Sequence, residues 1–122
     1  MSDEGLTVSR TQDVTVVTFG EVTVLDISTS QSLAKQILRL AKGPPAPRIL
    51  VDFSNVRFIA SRMLGILVEL TKKAQAADGK VVVCGLHGNL SRIFRVMRLD
   101  KLLTVMPDSQ AGLAAFGAGG EA

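Results

Sequence analysis

The hydrophobic positions form short β-type runs near the N-terminus and an alternation of strand and helix patterns afterwards. Val14–Phe19 is rich in β-branched residues, and the polar turn RTQD separates it from the short run Leu6–Ser9, which predicts a β-hairpin. Val22–Leu25 is predicted as a third short strand. The segment DISTSQ then offers several capping side chains, and the helix that it begins ends at Gly43.

The stretch RILVDFSNVRFIASRMLGILVEL, residues 48–70, carries the strongest pattern in the chain. Its nearly continuous apolar run Ile49–Phe53 is typical of a strand that is covered on both faces. Ser61–Ala77 has apolar residues at helical spacing, and Gly79 is placed to end that helix. Val81–Cys84 is a second apolar strand. Together these elements predict a right-handed βαβ unit with parallel strands.

The C-terminal third continues the alternation. Asn89–Arg98 has apolar residues at helical spacing, of which Met97 is the last, and Leu102–Val105 is predicted as an edge strand. Ser109–Phe116 is predicted as a last helix that Asp108 caps.

The sum of these patterns is one α/β domain over residues 1–122. Its core is expected to span about residues 6–116, with a flexible tail at residues 117–122. The sheet is predicted to be mixed, with four or five strands and about four helices, and parallel in its second half.

Composition and charge exclude several classes of function. The chain has five Phe residues and neither Trp nor Tyr, so it lacks the aromatic platforms on which nucleic-acid bases stack. A net charge of +3 is small for a nucleic-acid binder. The single cysteine, Cys84, forms no intramolecular disulfide and is predicted to act as a small buried hydrophobe. No secretory signal or membrane-spanning run is found in the sequence, which predicts a cytoplasmic protein.

Ser61 is the first candidate for a functional residue. At the N-terminus of a helix, a phosphate on its hydroxyl would be stabilised by backbone N–H groups and by the helix dipole. Such a phosphate adds about −1.5 to −2 charges at pH 7, enough to break or create a protein contact. The alternative is that Ser61 only caps the helix, which is the more common role of a serine there.

His87 follows the second parallel strand, so the topology predicts that it lies on the same edge of the sheet as Ser61. A Ser–His pair for acyl transfer is the enzymatic alternative, but the chain has no G-x-S-x-G motif, and Asp52 lies within a strand. One His and one Cys cannot build a structural zinc site. No Walker-type or G-x-G-x-x-G loop is present, and no metal or cofactor is expected.

Two further features have alternative interpretations. Arg92, Arg95 and Arg98 recur every three residues, with Lys101 just beyond, and this basic stripe either receives an acidic partner or is a solvated helix face. Met63 is either an adaptable contact for a partner or a core residue, and its helical spacing favours the core.

The segment VDFSNVRFIASRMLGILVELTKKAQAADGKVVVCGL resembles the centre of a STAS domain, the fold of bacterial anti-sigma factor antagonists. Family members typically read Asp-Ser-Ser/Thr-Gly-Leu-Gly at the start of the central helix. Here Ser61 matches the first hydroxyl position, whereas Ala60, Arg62 and Met63 replace the acidic residue, the second hydroxyl and the glycine. The segment IFRVMRLDKLLTVMPDSQAGLAAF resembles the C-terminal part of the family, and the resemblance extends over about residues 14–116.

This resemblance implies a non-enzymatic protein that acts in a partner switch. The unphosphorylated form is expected to bind an anti-sigma factor that is itself a serine kinase, and phosphorylation of Ser61 is expected to break that complex. The expected partner surface surrounds Ser61 and comprises Ser54, Asn55, Ala60, Arg62, Met63 and His87. One alternative is a STAS-like scaffold or sensor module without a phosphoswitch. Another is a small nucleotide-binding or hydrolytic protein that uses the same edge of the sheet.

Overall fold

A five-stranded mixed sheet with hydrophobic clusters on both faces forms the centre of the fold. The computed structural model describes residues 6–11, 13–19, 24–25, 35–42, 46–56, 58–59 and 61–121. The strands are β1 (Leu6–Thr11), β2 (Val14–Phe19), β3 (Val24–Leu25), β4 (Arg48–Asp52), β5 (Phe58–Ile59), β6 (Lys80–Cys84) and β7 (Thr104–Met106). The helices are α1 (residues 35–38), α2 (Ser61–Ala76), α3 (Asn89–Val96), α4 (Leu99–Leu102) and α5 (Ser109–Glu121).

The main sheet has the strand order β1-β2-β4-β6-β7. Only its first pair, the hairpin β1–β2, is antiparallel, and the three pairs that follow are parallel. Strands β3 and β5 form a separate parallel pair. The predicted hairpin and the predicted parallel second half are therefore confirmed. The predicted start of the first helix lies outside the described residues.

Strand β4 is covered on both faces, as its continuous apolar run predicts. Ile49 and Val51 belong to the larger core, which packs against α2 and α3, while Leu50 belongs to a smaller core under α5. Helix α5 approaches β4 closely at Gly112, where a β-carbon would lie 2.6 Å from Cδ1 of Leu50. This second layer explains why the strand carries no polar face.

Helix α2 ends in a Schellman motif. The Gly79 N–H donates to the Ala74 carbonyl at 2.6 Å, and the Asp78 N–H donates to the Gln75 carbonyl at 3.0 Å. The left-handed residue of the motif is Asp78, with φ of 65°, and not the predicted stop residue Gly79. Gly79 is required for another reason, because a β-carbon there would lie 2.1 Å from the Pro47 carbonyl oxygen.

The segment after α3 departs most from the sequence prediction. Helix α3 ends at Val96, and Arg98 adopts a left-handed conformation with φ of 61°. Met97 is consequently 55% exposed instead of lying in the core. The short helix α4 occupies the start of the predicted last strand, and the strand itself is shifted to Thr104–Met106.

Helix α5 extends the predicted last helix by five residues. It begins at Ser109, as predicted, and continues through residues 117–121, which the sequence assigns to a tail. Its Phe116 side chain lies under the guanidinium of Arg48, 5.6 Å from the ring centroid, and the Arg48 side chain donates a hydrogen bond to the Phe116 carbonyl at 2.8 Å. These contacts join the helix to the start of β4.

Candidate functional site

The carboxyl ends of the parallel strands meet at one edge of the sheet, called the rim here. It comprises residues 53–56 after β4, residues 85–88 after β6, residues 107–108 after β7 and the start of α2 at Ser61. Backbone hydrogen bonds join the first three of these segments. The Phe53 N–H donates to the Cys84 carbonyl at 2.9 Å, and the Gly85 N–H donates to the Pro107 carbonyl at 3.3 Å.

A turn at Asp52 fixes the first rim loop. Its carboxylate oxygen Oδ1 accepts hydrogen bonds from the Ser54 backbone N–H at 2.9 Å and from the Ser54 hydroxyl. This is an Asx turn, in which a short acidic side chain holds the backbone two residues further along. The loop after β6 packs directly on this turn at Gly85, whose φ is 76°. The rim loops therefore hold each other in position.

Asn55 links the same loop to the neighbouring strand. Its side-chain amide donates a hydrogen bond to the Phe19 carbonyl at 2.9 Å, although much of the residue is exposed. Below it, Phe53 is fully buried between two other rings, with its centroid 5.4 Å from that of Phe19 and 5.9 Å from that of Phe94. The loop that carries the exposed residues Ser54 and Asn55 is thus anchored by a cluster of buried aromatic rings.

Ser61 is the first residue of α2, as the sequence predicts. The structure describes the backbone of Ser61 and Arg62, and both belong to the first turn of this helix. That turn contains no acidic residue. Ala60, another predicted partner contact, lies outside the described residues.

Met63 is a core residue, so the prediction that it is an exposed contact for a partner is wrong. Its side chain is fully buried and belongs to the cluster that also contains Phe53 and Leu67. The physical reason is the orientation of α2, because the same helical stripe that contains Leu67 and Leu70 carries Met63 towards the sheet. The alternative that helical spacing favoured is confirmed.

His87 is exposed in the turn between β6 and α3. Its carbonyl accepts a hydrogen bond from the Leu90 N–H at 3.1 Å, so its backbone belongs to the start of the helix. Because Gly85 contacts the turn at Ser54, His87 is on the same rim as Ser54 and Asn55. The rim thus gathers two exposed loops beside the beginning of α2.

Cys84 lies beneath the rim, at the end of β6. It is buried in the smaller core, and its thiol pKa is raised from an ordinary 9.0 to about 12. Burial is the main cause, followed by the negative charges of Asp52 and Asp108 and by a hydrogen bond to Asp52. The thiol therefore stays protonated near neutral pH, which makes it a poor nucleophile.

Comparison with known proteins identifies the family. The profile of the family described as "Mlab, STAS domain" matches residues 5–104, most of the chain. The chain belongs to the STAS domain family. Its strand order, with the hairpin followed by parallel strands, is the architecture of a STAS domain, and this confirms the expected fold.

Several solved structures are similar to this STAS domain. An anti-sigma-factor antagonist domain protein from Planctomyces limnophilus has a TM-score of 0.83 and 21% identity, over 90% of this chain and 95% of that chain. An anti-sigma factor antagonist from Mycobacterium paratuberculosis has a TM-score of 0.76 and 27% identity, over 94% of this chain and 97% of that chain. The phosphorylated form of SpoIIAA, a Bacillus cell fate determinant, has a TM-score of 0.65 and 14% identity, over 87% of this chain and 95% of that chain.

Sequence reasoning missed two residues that shape the rim of this STAS domain, Asp52 and Gly85, and one of the two roles of Asp108. Asp52 forms the Asx turn, Gly85 permits the close contact between loops, and Asp108 caps α5 through a 2.8 Å hydrogen bond from the Ala111 N–H while also facing Cys84. The Asp-x-Ser spacing of residues 52–54 is a signal that could have predicted the turn. The cap at Asp108 was predicted, but its proximity to Cys84 depends on the tertiary fold.

Two further kinds of site are absent from the described part of this STAS domain. No group of three or more His, Cys, Asp or Glu side chains there is placed to hold a metal ion. None of the helices within the described residues is both long and apolar enough to cross a membrane.

Proposed function

We propose that this STAS domain is a regulatory protein, similar to anti-sigma factor antagonists, that binds a protein partner at the rim and is switched by phosphorylation of Ser61. The observation that carries the proposal is the position of Ser61 as the first residue of α2, beside two exposed loops. The hydrogen bonds that hold the first of these loops favour recognition, because a preorganised surface loses little conformational entropy when it binds.

The electrostatics of α2 favour a phosphate at its beginning. The first N–H groups of a helix lack intrahelical acceptors and, together with the helix dipole, stabilise an anion. The first turn of α2 contains no acidic residue that would repel a phosphate, and it includes Arg62. A modification there places about −1.5 to −2 charges on a surface that a partner contacts. Such a charge is expected to weaken a complex that forms with the unmodified serine.

The residues of the rim support binding better than catalysis. Asp52 accepts its hydrogen bonds from Ser54 and Cys84, so its carboxylate is engaged within the turn and beneath the rim. The raised pKa of the Cys84 thiol disfavours covalent catalysis by that residue. Ser54, Asn55 and His87 remain exposed and offer a hydroxyl, an amide and an imidazole to a partner. We therefore include no enzymatic activity in the proposal.

Phosphorylation is tested with serine kinases encoded beside the gene. The full chain is incubated with each purified kinase and ATP, and the products are analysed by intact mass and peptide mapping. We expect one phosphate on the wild-type chain and on Ser54→Ala, a matched variant that removes another hydroxyl from the rim, and none on Ser61→Ala. Labelling that persists in Ser61→Ala contradicts the assignment of the site.

Partner binding is tested with anti-sigma factors encoded in the same neighbourhood. Calorimetry should detect a complex with the wild-type chain and a Kd at least about tenfold higher, or about 1.4 kcal/mol weaker, for Ser61→Asp. Ser54→Asp, which adds the same charge to the neighbouring loop, shows whether the effect belongs to the phosphate position or to the rim in general. Wild-type protein that binds none of these factors contradicts the proposed partner class.

A scaffold without a phosphoswitch is the second candidate, and one specific observation favours it. The family motif often has two hydroxyl residues, but here Arg62 stands at the second position and the buried Met63 replaces the glycine. A long cation next to Ser61 can pair with a phosphate, but it also fills space that a kinase must enter. This candidate predicts equal partner affinity for the wild-type chain and Ser61→Asp.

A further inference from the structure

Exposed apolar side chains are concentrated in the chain segment that runs from the end of α3 to β7, the edge strand opposite β1. Among the described residues, four large hydrophobic side chains are exposed, and three of them lie between α3 and β7: Val96 at 72%, Met97 at 55% and Val105 at 36%. The turn at Arg98 exposes Met97, because α3 ends before that residue can face the core. A cluster of exposed apolar residues on a small protein is typical of an interaction site.

The same segment carries the net charge of the chain. Residues 92–105 contain four basic residues and one acidic residue, which gives +3, equal to the net charge of all 122 residues. The rest of the sequence is therefore neutral in sum. The basic residues are all exposed, and three of them belong to the stripe seen in the sequence; they are Arg92, Arg95, Arg98 and Lys101. We call these residues, together with the three exposed apolar residues, the β7-edge surface.

A cavity of about 330 Å³ opens within this surface. It is lined by Leu86, Ser91, Phe94, Arg95, Asp100 and Val105. Its wall includes the buried ring of Phe94, while Arg95 and Val105 belong to the exposed surface around it. The volume lies at the lower end of the range of ligand pockets, about 300–1,000 Å³, and is large enough for one bulky apolar side chain.

We propose that the β7-edge surface is a second protein-binding site, which takes an acidic segment of a partner and buries one apolar side chain of that segment in the cavity. The charge of residues 92–105 selects acidic partners over basic ones. An anchor in a central pocket surrounded by charged residues is the usual arrangement of a binding hot spot. Leu86 belongs to the rim, but Ser54, Asn55 and His87 do not line the cavity, so the site lies beside the rim surface and is not part of it.

The test uses three synthetic peptides of equal length and the full chain labelled with ¹⁵N. The first peptide is rich in Glu with one central Leu, the second replaces that Leu with Ala, and the third replaces each Glu with Lys. We expect the first peptide to give saturable amide shifts around Leu86, Ser91 and Val105, and the Lys-rich peptide to give none. The Kd of the first peptide should increase about tenfold when Leu is replaced by Ala, as the loss of one buried anchor typically costs.

Variants of the protein locate the site. Arg95→Glu should raise the Kd for the first peptide at least about tenfold, because it reverses a charge beside the cavity. Lys72→Glu makes the same change on the exposed face of α2 and should leave this Kd unchanged, as should Ser61→Asp. Unchanged melting temperatures would confirm that the variants are folded.

Four results would overturn the proposal. They are the absence of saturable shifts, shifts centred on Ser54 and Asn55, equal binding of the Glu-rich and Lys-rich peptides, and self-association of the chain that Arg95→Glu abolishes. The last result would assign the surface to a second copy of this chain. None of them contradicts the proposed switch, because Ser61 lies outside the β7-edge surface.

Discussion

A β-carbon on Gly85 would lie 2.7 Å from the carboxylate oxygen Oδ1 of Asp52 and equally close to the backbone nitrogen of Ser54. Gly85 also has φ of 76°, a conformation that L-residues other than glycine rarely adopt. The loop after β6 can therefore rest directly on the Asx turn after β4. The positions of Ser54 and His87 on the rim depend on this contact.

Gly85→Ala should destabilise the domain and displace the Asx turn. The positive φ costs about 1–2 kcal/mol for an L-residue, and crowding adds roughly 1–3 kcal/mol. Gly88→Ala is the control, since Gly88 also has a positive φ, of 53°, but a β-carbon there meets nothing within 4 Å. Urea unfolding should show a loss of stability for both variants, whereas only Gly85→Ala should shift the NMR amide signal of Ser54. An unmoved Ser54 signal in Gly85→Ala would contradict the contact.

Replacing Met63 should affect stability and spare the exposed rim. Its fully buried side chain predicts a loss of about 2–5 kcal/mol for Met63→Ala. Met63→Leu nearly conserves the volume and should lose less than about 1.5 kcal/mol. Denaturant unfolding measures both losses, and partner affinity of Met63→Leu should equal that of the wild type. A large loss of affinity in this folded variant would indicate that Met63 contacts the partner.

The long periodic elements could be predicted from the sequence, whereas the segment after α3 could not. The apolar stripe of α2 predicted a helix from Ser61 to Ala77, and the helix runs to Ala76. Residues 99–106 contain only short apolar runs, which fit a helix or a strand equally well. The left-handed turn at Arg98 decides between them, and no local signal marks an arginine for that conformation.

The sequence could predict where the site lies, at the carboxyl ends of the parallel strands, but not the contacts within it. Parallel strands bring Ser54 and His87 to one edge by topology, and the position of Ser61 follows from the start of α2. The hydrogen bond from Asn55 to Phe19 joins residues that are 36 positions apart, and the effect of Asp108 on Cys84 arises between β6 and the cap of α5. Such contacts require the packing of helices on the sheet, which periodicity does not specify.

Asp78→Gly should stabilise the domain. Asp78 is the left-handed residue at the end of α2, with φ of 65°, a position at which glycine avoids the steric cost of a β-carbon. This cost is about 1–2 kcal/mol in general and smaller for Asp, so a gain of roughly 0.5–1 kcal/mol is expected. Thermal unfolding measures the gain. Asp78→Ala serves as the opposite control and should be no more stable than the wild type.

The raised pKa of Cys84 predicts a loss of stability at alkaline pH. The folded state favours the neutral thiol, so its contribution to stability is complete below the ordinary pKa of 9.0 and is lost as the pH rises towards about 12. We expect the difference in unfolding free energy between the wild type and Cys84→Ala to be constant below pH 9 and to fall above it. Parallel alkaline profiles of the two proteins would contradict this prediction.

Asp108 has two effects that different substitutions separate. Its carboxylate accepts the Ala111 N–H at 2.8 Å as the cap of α5, and its charge raises the pKa of Cys84. Asp108→Ala should cost about 1 kcal/mol in urea unfolding, whereas Asp108→Asn retains a capping oxygen and should cost only a few tenths. Both variants remove the charge, so both should lower the Cys84 pKa, as followed by thiolate absorbance. Equal stability of the two variants would show that the capping hydrogen bond does not stabilise α5. An unchanged thiol titration would show that the charge of Asp108 does not raise the Cys84 pKa.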